Sequence, residues 1–245
     1  MMGQELPPFK KRTTGVLYVD GPGPNPPSIE CDGTSYSRFH DFIYVSKQLE
    51  DLDEQQVVAV CTLRDEFATA QQLDPNRKIR QIFVDLVKTF RPKVLLELGP
   101  GNRPLFEAGT EAFLYELLDL NEENVHRLTA IGHCASLFKD RTALGLKAGS
   151  VDLVVAVFVF QFNIAASQID EMLRVLSRTG LIVANVYRRS PPAREQLRHH
   201  FESRGCGVKI VQRAHGVEHN HEYWLIGRDL KDSKCRAAIA VLEDS

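Results

Sequence analysis

The sequence contains no cysteine pair that suggests a metal or redox site. Its five cysteines are odd in number, far apart and without any C-x-x-C spacing: Cys31, Cys61, Cys134, Cys206 and Cys235. Zinc sites and disulfide frameworks need clustered or evenly paired cysteines. We therefore expect ordinary reduced thiols, as in a cytoplasmic protein, and no metal site.

Long apolar segments are also missing. The longest apolar run, residues 151–162, is interrupted by Asp152 and Gln161, and it is far shorter than the roughly 20 residues that span a bilayer. The first eight residues lack the apolar stretch of a secretory signal. These absences predict a soluble cytoplasmic protein with no membrane partner.

No charge of one sign dominates the chain. It has 30 Lys and Arg residues against 32 Asp and Glu residues, a net charge of -2. Because there is no basic field to hold a phosphate backbone, nucleic acid is not an expected partner.

What the sequence does contain is the composition of a globular domain. Hydrophobic residues make up 43% and charged residues 25% of its 245 residues, which is enough to bury a full core. The length fits one large α/β domain or one domain with an appendage.

The first part of the chain is rich in glycine and proline. Residues 21–27 read Gly-Pro-Gly-Pro-Asn-Pro-Pro, and because proline lacks the backbone donor we predict an irregular arm over residues 1–50. Its aromatic residues, which include Tyr36 and Phe39, either pack on the main domain or line a ligand site. With a helix predicted at 53–71, residues 1–73 are expected to form an N-terminal loop and helical extension that covers the active site.

From residue 74 the pattern changes to that of a doubly wound α/β domain, which we place at residues 74–230. Asp74 and Pro75 are predicted to start a helix whose apolar stripe ends at Phe90. Short apolar runs then predict strands at 94–98, 112–118, 151–157, 181–186, 208–212 and 223–226.

Helices are predicted between the later strands. One is capped by Ser167 and ends at Thr179-Gly180, and a second covers residues 193–204. Residues 121–150 should add a helix and a strand, although no run there is convincingly strand-like, and residues 231–245 are predicted to be a C-terminal tail. The alternation of strands and helices predicts a mostly parallel sheet.

The most informative segment is a glycine turn that follows the strand at 94–98. It reads Gly99-Pro100-Gly101-Asn102, and a short helix is predicted after it, with Asn102 or Arg103 near its cap. In a parallel sheet such a turn lies where ligands bind. The third glycine of the G-x-G-x-x-G dinucleotide fingerprint is absent, which disfavours a nicotinamide-dependent oxidoreductase but leaves it as an alternative.

Several motifs resemble one known family. Glu97 and the glycine turn are similar to the first motif of the class I (Rossmann-like) S-adenosylmethionine-dependent methyltransferases, an acidic residue followed by G-x-G. Asp119 ends the second strand, where that family has an acidic residue. Residues 148–155 and 169–183 are similar to its fourth strand and to its following helix, turn and fifth strand, so that the resemblance spans about residues 79–186.

The resemblance implies a seven-stranded Rossmann-like fold and S-adenosyl-L-methionine as the cofactor, with S-adenosyl-L-homocysteine as its product. Glu97 would lie beneath the methionine moiety, and Asp119 would accept hydrogen bonds from the ribose. The adenine contact falls on His133, or near Ala135-Ser136 in another register. The implied cofactor contacts are Glu97, Gly99, Pro100, Gly101, Asn102, Asp119, His133 and Phe158.

The acceptor side carries less information. Methyl transfer is an in-line displacement that requires alignment and exclusion of water, and no single base is obligatory. The catalytic residue is therefore unknown, with His215 and Tyr187 as candidates. Candidate substrate contacts are Tyr36, Phe39, Arg103, Gln161, Asn163, Tyr187 and His215.

Two observations narrow the acceptor. The loop at 158–163 lacks the (Asp/Asn)-Pro-Pro-(Tyr/Phe) signature that the family uses for planar nitrogens, which lowers nucleic-acid bases and glutamine amides. His215, His219 and His221 cluster near the end of the chain, either as a substrate or base site, as a partial metal chelate, or as a solvated loop.

Together these features predict a methyltransferase that modifies an O, N or S nucleophile of a small organic acceptor. A protein or peptide methyltransferase is one alternative. A noncatalytic, methyltransferase-like binding or scaffold protein is another.

Overall fold

The computed structural model describes residues 9–19, 25–40, 42–67, 70–212 and 221–244. The chain divides into two compact units, Met1–Thr69 and Ala70–Ser245, and each is described by itself. None of the helices in the described residues is both long enough and apolar enough to cross a membrane.

The first unit contains an antiparallel sheet in the order β1-β2-β5-β4-β3. Its strands are β1 Phe9–Thr13, β2 Val16–Val19, β3 Ser28–Cys31, β4 Thr34–His40 and β5 Ile43–Val45, and they are followed by helix α1 Glu54–Phe67. The irregular arm predicted for residues 1–50 is therefore wrong. The glycine and proline run separates β2 from β3, and the strands on either side alternate around a core that includes Leu17 and Tyr44.

The second unit contains a seven-stranded sheet in the order β11-β12-β10-β9-β6-β7-β8. Its strands are β6 Val94–Leu98, β7 Leu114–Asp119, β8 Cys134–Leu137, β9 Val151–Ala156, β10 Leu176–Val186, β11 Gly207–Gln212 and β12 Glu222–Gly227. The five strands from β10 to β8 pair in parallel, and β12 runs antiparallel to both its neighbours. The predicted fold class, a doubly wound and mostly parallel sheet, is confirmed.

Helices cover both faces of this sheet. They are α2 Ala70–Phe90, α3 Glu122–Ala130, α4 Ala166–Val175, α5 Pro191–Glu202 and α6 Ser233–Asp244. Leu96 and Leu98 of β6 pack in one core with residues of α4 and α5. Leu95 faces the other core, which contains residues of α2 and α6, so Glu97 points toward the α2 face because side chains alternate along a strand.

Predicted boundaries of α2 and α4 differ from those observed, and the helices predicted at 53–71 and 193–204 are observed at Glu54–Phe67 and Pro191–Glu202. Helix α2 begins at Ala70, ahead of Asp74 and Pro75. Helix α4 ends at Val175, and its first turn is closed by Gln168, whose side-chain oxygen accepts from the Ala165 backbone, rather than by Ser167.

The C-terminal segment is also different from its prediction. In place of a tail, residues 233–244 form α6, whose Ala238 and Leu242 are buried in the core that also contains α2 residues. Burial of an apolar stripe by a neighbouring helix decides the structure of this segment.

Two of the connections between parallel strands contain no helix. They are the loops at 99–113, between β6 and β7, and at 138–150, between β8 and β9. The short helix predicted after the glycine turn, with Asn102 or Arg103 as its cap, is therefore wrong. Gly99 and Gly101 have left-handed φ angles of 58° and 61°, and the following loop packs through a cluster of aromatic rings: Phe106, Phe113 and Tyr115.

Candidate functional site

The strand order of the second unit reverses between β6 and β9, whose neighbours β7 and β10 lie on opposite sides. Open α/β sheets bind ligands at such a reversal, outside the carboxyl ends of the strands. The glycine turn, Asp119 and the loop that begins at Phe158 follow the carboxyl ends of β6, β7 and β9. The topology therefore brings together the main cofactor contacts predicted from the sequence.

The glycine turn lies against the loop after β9. The Gly99 backbone N–H donates to the carbonyl of Leu118 at 2.7 Å. A Cβ atom at Gly99 would lie 2.7 Å from Cγ2 of Val159, which is closer than two carbon atoms can pack. Both this contact and the left-handed φ angle require glycine at position 99.

Asp119 connects the turn to the start of α3. Its Oδ2 accepts from the Gly101 backbone at 3.0 Å, and its Oδ1 accepts from the Asn121 backbone at 2.8 Å and from Nδ2 of Asn124 at 3.2 Å. An ionised carboxylate has about four acceptor positions, and among the described residues one donor, the Gly101 N–H, bonds to Oδ2. Asp119 therefore keeps capacity to accept a hydroxyl hydrogen bond at the ligand-binding edge.

Glu97 has a different environment. It is 0% exposed; its Oε1 accepts from Nη2 of Arg80 at 3.1 Å, and its Oε2 accepts from the Leu105 backbone at 2.9 Å and from the Tyr115 hydroxyl. Burial raises the pKa of this carboxyl, and the Arg80 cation and the two donors on Oε2 oppose that effect. The carboxylate is thus directed into the protein.

A buried polar network follows β9 and β10. The Asn185 amide oxygen accepts from the Phe158 backbone at 2.6 Å, and its amide nitrogen lies 2.9 Å from Nδ1 of His221. Because the amide nitrogen can only donate, Nδ1 accepts and the neutral ring carries its proton on Nε2. The network also holds Phe158 at a left-handed φ of 63°, which is unusual for a bulky residue.

Aromatic rings surround this network. The Phe158 ring lies edge-on to Tyr187 and to His221, with centroids 5.6 and 5.9 Å apart. Tyr187 and His221 stack at 4.4 Å. The three rings provide a largely apolar wall at the carboxyl ends of β9 and β10.

The loop after β9 carries one buried acceptor that its neighbours leave open. Gln161 is 1% exposed, and its amide nitrogen donates to the Phe158 carbonyl at 2.9 Å. Its amide oxygen has no hydrogen-bond partner among the described residues. Arg189 holds the same loop through the Phe160 and Phe162 carbonyls, and Asn163 is exposed.

His133 is not near the candidate site. Strand β8 begins at Cys134, and its last residue, Leu137, pairs with Asp119. His133 therefore lies at the amino end of β8, where its ring contacts that of Tyr115 with centroids 6.0 Å apart. The adenine contact predicted at His133 is therefore wrong. A residue of this segment that reaches the ligand-binding edge would have to follow Leu137.

Four other substrate contacts were predicted from the sequence: Arg103, Tyr36, Phe39 and His215. Arg103 is exposed at the glycine turn. Tyr36 and Phe39 belong to the first unit and are buried there. His215 and His219 lie outside the described residues, and the described part of the chain contains no cluster of His, Cys, Asp and Glu that could hold a metal ion.

Arg80 and Val159 belong to the site although neither was predicted from the sequence. Asn185 was expected at this edge as a candidate substrate contact, and it is found in a buried hydrogen-bond network. Arg80 is bonded to a residue 17 positions away, and Asn185 joins residues 27 and 36 positions away. No local pattern signals such contacts. The position of Asn185 near the end of β10 was predicted, but its bonds to Phe158 and His221 were not.

Comparisons with known proteins give a fold-level match. No family model and no curated protein matches the sequence. The [4+2]-cyclase SpnF has a TM-score of 0.51 and 14% identity over 74% of this chain and 97% of that chain. A methyltransferase dependent on S-adenosylmethionine from Aquifex aeolicus has a TM-score of 0.46 and 14% identity, covering 72% and 98% of the two chains. The precorrin-6y C5,15-methyltransferase of Geobacter metallireducens has a TM-score of 0.44 and 20% identity, covering 66% and 93%.

At these identities a match shows the fold and leaves the reaction open. The sheet has β12 antiparallel between β11 and β10, and the SpnF structure shares the fold. The chain has the Rossmann-like fold of the class I S-adenosylmethionine-dependent methyltransferases.

Proposed function

We propose that this protein binds S-adenosylmethionine at the carboxyl edge of its central sheet and transfers the methyl group to an O, N or S nucleophile of a small organic acceptor. The observation that carries the proposal is the bond between Asp119 and the Gly101 backbone at the reversal of strand order. It places a turn with glycine at positions 99 and 101 next to a carboxylate with acceptor capacity.

These residues fit the cofactor. Gly99 and Gly101 leave their backbone open to a close approach, and Asp119 supplies an acceptor for ribose hydroxyls. When bound, S-adenosylmethionine supplies an activated methyl group on a sulfonium. The protein has to align the acceptor and exclude water.

A dinucleotide fits less well. Dinucleotide-binding sheets direct the first helix N-terminus at the pyrophosphate. Residues 99–113 are all described and contain no helix, so the turn has no helix dipole to offer a phosphate. This absence and the missing third glycine both disfavour the oxidoreductase alternative.

The acceptor would contact the loop after β9 and the end of β10. Phe158, Tyr187 and His221 offer ring surface there. Because Nδ1 of His221 already accepts from Asn185, we assign its ring a packing role against the acceptor and no role as a base.

Calorimetric titration with S-adenosylmethionine and S-adenosylhomocysteine tests the cofactor. We expect the wild-type protein to bind both, Gly101→Arg to abolish binding, and Asp119→Ala to weaken it at least tenfold. Asp152→Ala is the matched control, because Asp152 also accepts from backbone N–H groups, those of Lys93 and Val94, but at the amino end of β6. Absence of any binding to the wild-type protein would overturn the proposal.

A labelled methyl group then identifies the acceptor. Incubation of a cell extract with the protein and S-adenosylmethionine labelled in its methyl group should transfer label to the low-mass fraction. Label in the protein fraction instead would favour the protein or peptide methyltransferase. The SpnF match underlines the need for this experiment, since a protein named as a cyclase shares the fold.

A further inference from the structure

We infer that Glu97 does not contact the cofactor in this protein, and that Arg80 and Glu97 together position the glycine turn in place of the missing helix. The effect on cofactor affinity rests on the proposed function. The effect on the loop itself does not. Arg80 is therefore a positioning residue, since it acts through the turn.

The Glu97 carboxylate is not accessible to a ligand. The Glu97 side chain is 1% exposed, and three protein donors already occupy its two oxygens: Arg80, Leu105 and Tyr115. In the part of the chain that the structure describes, Asp119, at the end of the neighbouring strand, accepts on Oδ2 from one donor. A ligand ammonium would have to displace protein donors in order to reach Glu97.

Arg80 connects α2 to the glycine turn through hydrogen bonds. Nη2 of Arg80 donates both to Oε1 of Glu97 and to the carbonyl of Arg103. Arg103 is separated from Gly101 by Asn102. The Arg103 N–H donates to the Pro100 carbonyl at 3.1 Å. Ile79 and Phe83, on either side of Arg80 in sequence, are buried, so α2 is held firmly against the sheet.

The loop at 99–113 lacks the backbone hydrogen bonds and the rigid packing that a crossover helix would provide. A crossover helix satisfies most of its own backbone groups and packs as a rigid element. The loop at 99–113 has only a few internal bonds, such as Thr110 N–H to the Glu107 carbonyl. The Leu105 N–H donates to Glu97 and to the Tyr115 hydroxyl, and the Arg103 carbonyl accepts from Arg80. Side chains from β6, β7 and α2 therefore replace the bonds that a helix would make.

Three variants separate positioning from general damage. Arg80→Met removes the donors and keeps most of the apolar stem, Arg80→Lys keeps a cation and a donor, and Lys78→Met removes an exposed charge two residues away on the same helix. The readouts are amide hydrogen exchange of the segment containing Leu105, measured by mass spectrometry, and calorimetric affinity for S-adenosylhomocysteine.

We expect exchange of the Leu105 segment to rise at least tenfold in Arg80→Met and the affinity to fall at least tenfold. Arg80→Lys should recover most of both losses, and Lys78→Met should match the wild-type protein. If Arg80→Met does not fold, partial loss in Arg80→Lys relative to Lys78→Met supports the inference, and no loss overturns it.

Glu97→Gln provides the opposite test. If Glu97 were a direct ligand, this variant would lose affinity while exchange of the Leu105 segment stayed unchanged, and that result would overturn the inference. If the wild-type protein bound no S-adenosylhomocysteine, the proposed function would fail. The exchange measurement would still decide whether Arg80 and Glu97 hold the loop.

Discussion

The two loops that replace crossover helices are held by similar groups in different surroundings. At 99–113 the carboxylate of Glu97 accepts from the Leu105 backbone and pairs with Arg80 inside the protein. At 138–150 the carboxylate of Glu171, on α4, accepts from the Leu144 backbone at 2.5 Å and pairs with Arg174 near the surface.

Burial reverses the electrostatics of the two carboxylates. Desolvation raises the pKa of Glu97. The hydrogen bond from Arg174 lowers the pKa of Glu171 because it stabilises the charged carboxylate, and this effect exceeds the opposing effect of burial. A carboxylate and an arginine can therefore hold a loop both inside the protein and near its surface. We expect a large loss of unfolding free energy only when the buried pair is broken.

The largest expected effect comes from removing the buried cation. Arg80→Met would leave the Glu97 carboxylate buried without its cation, and breaking a buried ion pair typically costs about 3–5 kcal/mol of unfolding free energy. Arg174→Met should have a much smaller effect, because its side chain is 38% exposed and water replaces the lost bonds. Urea denaturation of both variants measures the difference, and equal losses would contradict the comparison.

The glycines of the two loops offer a second, smaller contrast. Gly99 and Gly149 have left-handed φ angles of 58° and 70°. A Cβ at Gly99 would clash with Val159, whereas a Cβ at Gly149 would meet nothing within 4 Å. Both substitutions by alanine cost about 1–2 kcal/mol of backbone strain, and the clash should add to that cost only at Gly99.

Thermal denaturation and cofactor titration measure this contrast. Gly149→Ala should lower stability without changing affinity for S-adenosylhomocysteine. Gly99→Ala should lower both, since Val159 and the glycine turn must separate. Identical stability losses in the two variants would mean that the loop after β9 does not press on the turn.

The two units of the chain show which parts of the structure the sequence could predict. In the second unit, long apolar stripes such as that of α2 and the motif from Glu97 to Asn102 predicted the sheet, its main helices and the glycine turn. In the first unit the strands are three to seven residues long, too short for a periodic pattern to outweigh the glycine and proline run between them.

The candidate site was predictable where topology alone places a residue. Gly99, Gly101, Asp119 and Phe158 follow strand ends, and parallel strands end at one edge. Arg80 and the Asn185 bridge depend on side-chain contacts between distant segments, which no spacing encodes. His133 was misplaced because the short strand β8, four residues long, gave no usable boundary.

The smallest expected effects are in the pH dependence of stability, where the two carboxylates should have opposite signs. For Glu97 the pKa is raised in the folded state, so the folded protein binds the proton more tightly and stability falls as pH rises above the ordinary value of 4.5. For Glu171 the pKa is lowered, so its contribution is present above 4.5 and is lost as pH falls through the folded pKa.

The unfolding free energy is measured for the wild-type protein, Glu97→Gln and Glu171→Gln between about pH 4 and pH 7, in steps on the order of one pH unit. These measurements separate the two contributions. Relative to Glu97→Gln, the wild-type protein should lose stability toward pH 7. Relative to Glu171→Gln, it should lose stability toward pH 4. Two difference curves with the same slope would show that the Glu97 carboxyl is not desolvated, and the distinction between a buried and a surface substitute for a helix would then disappear.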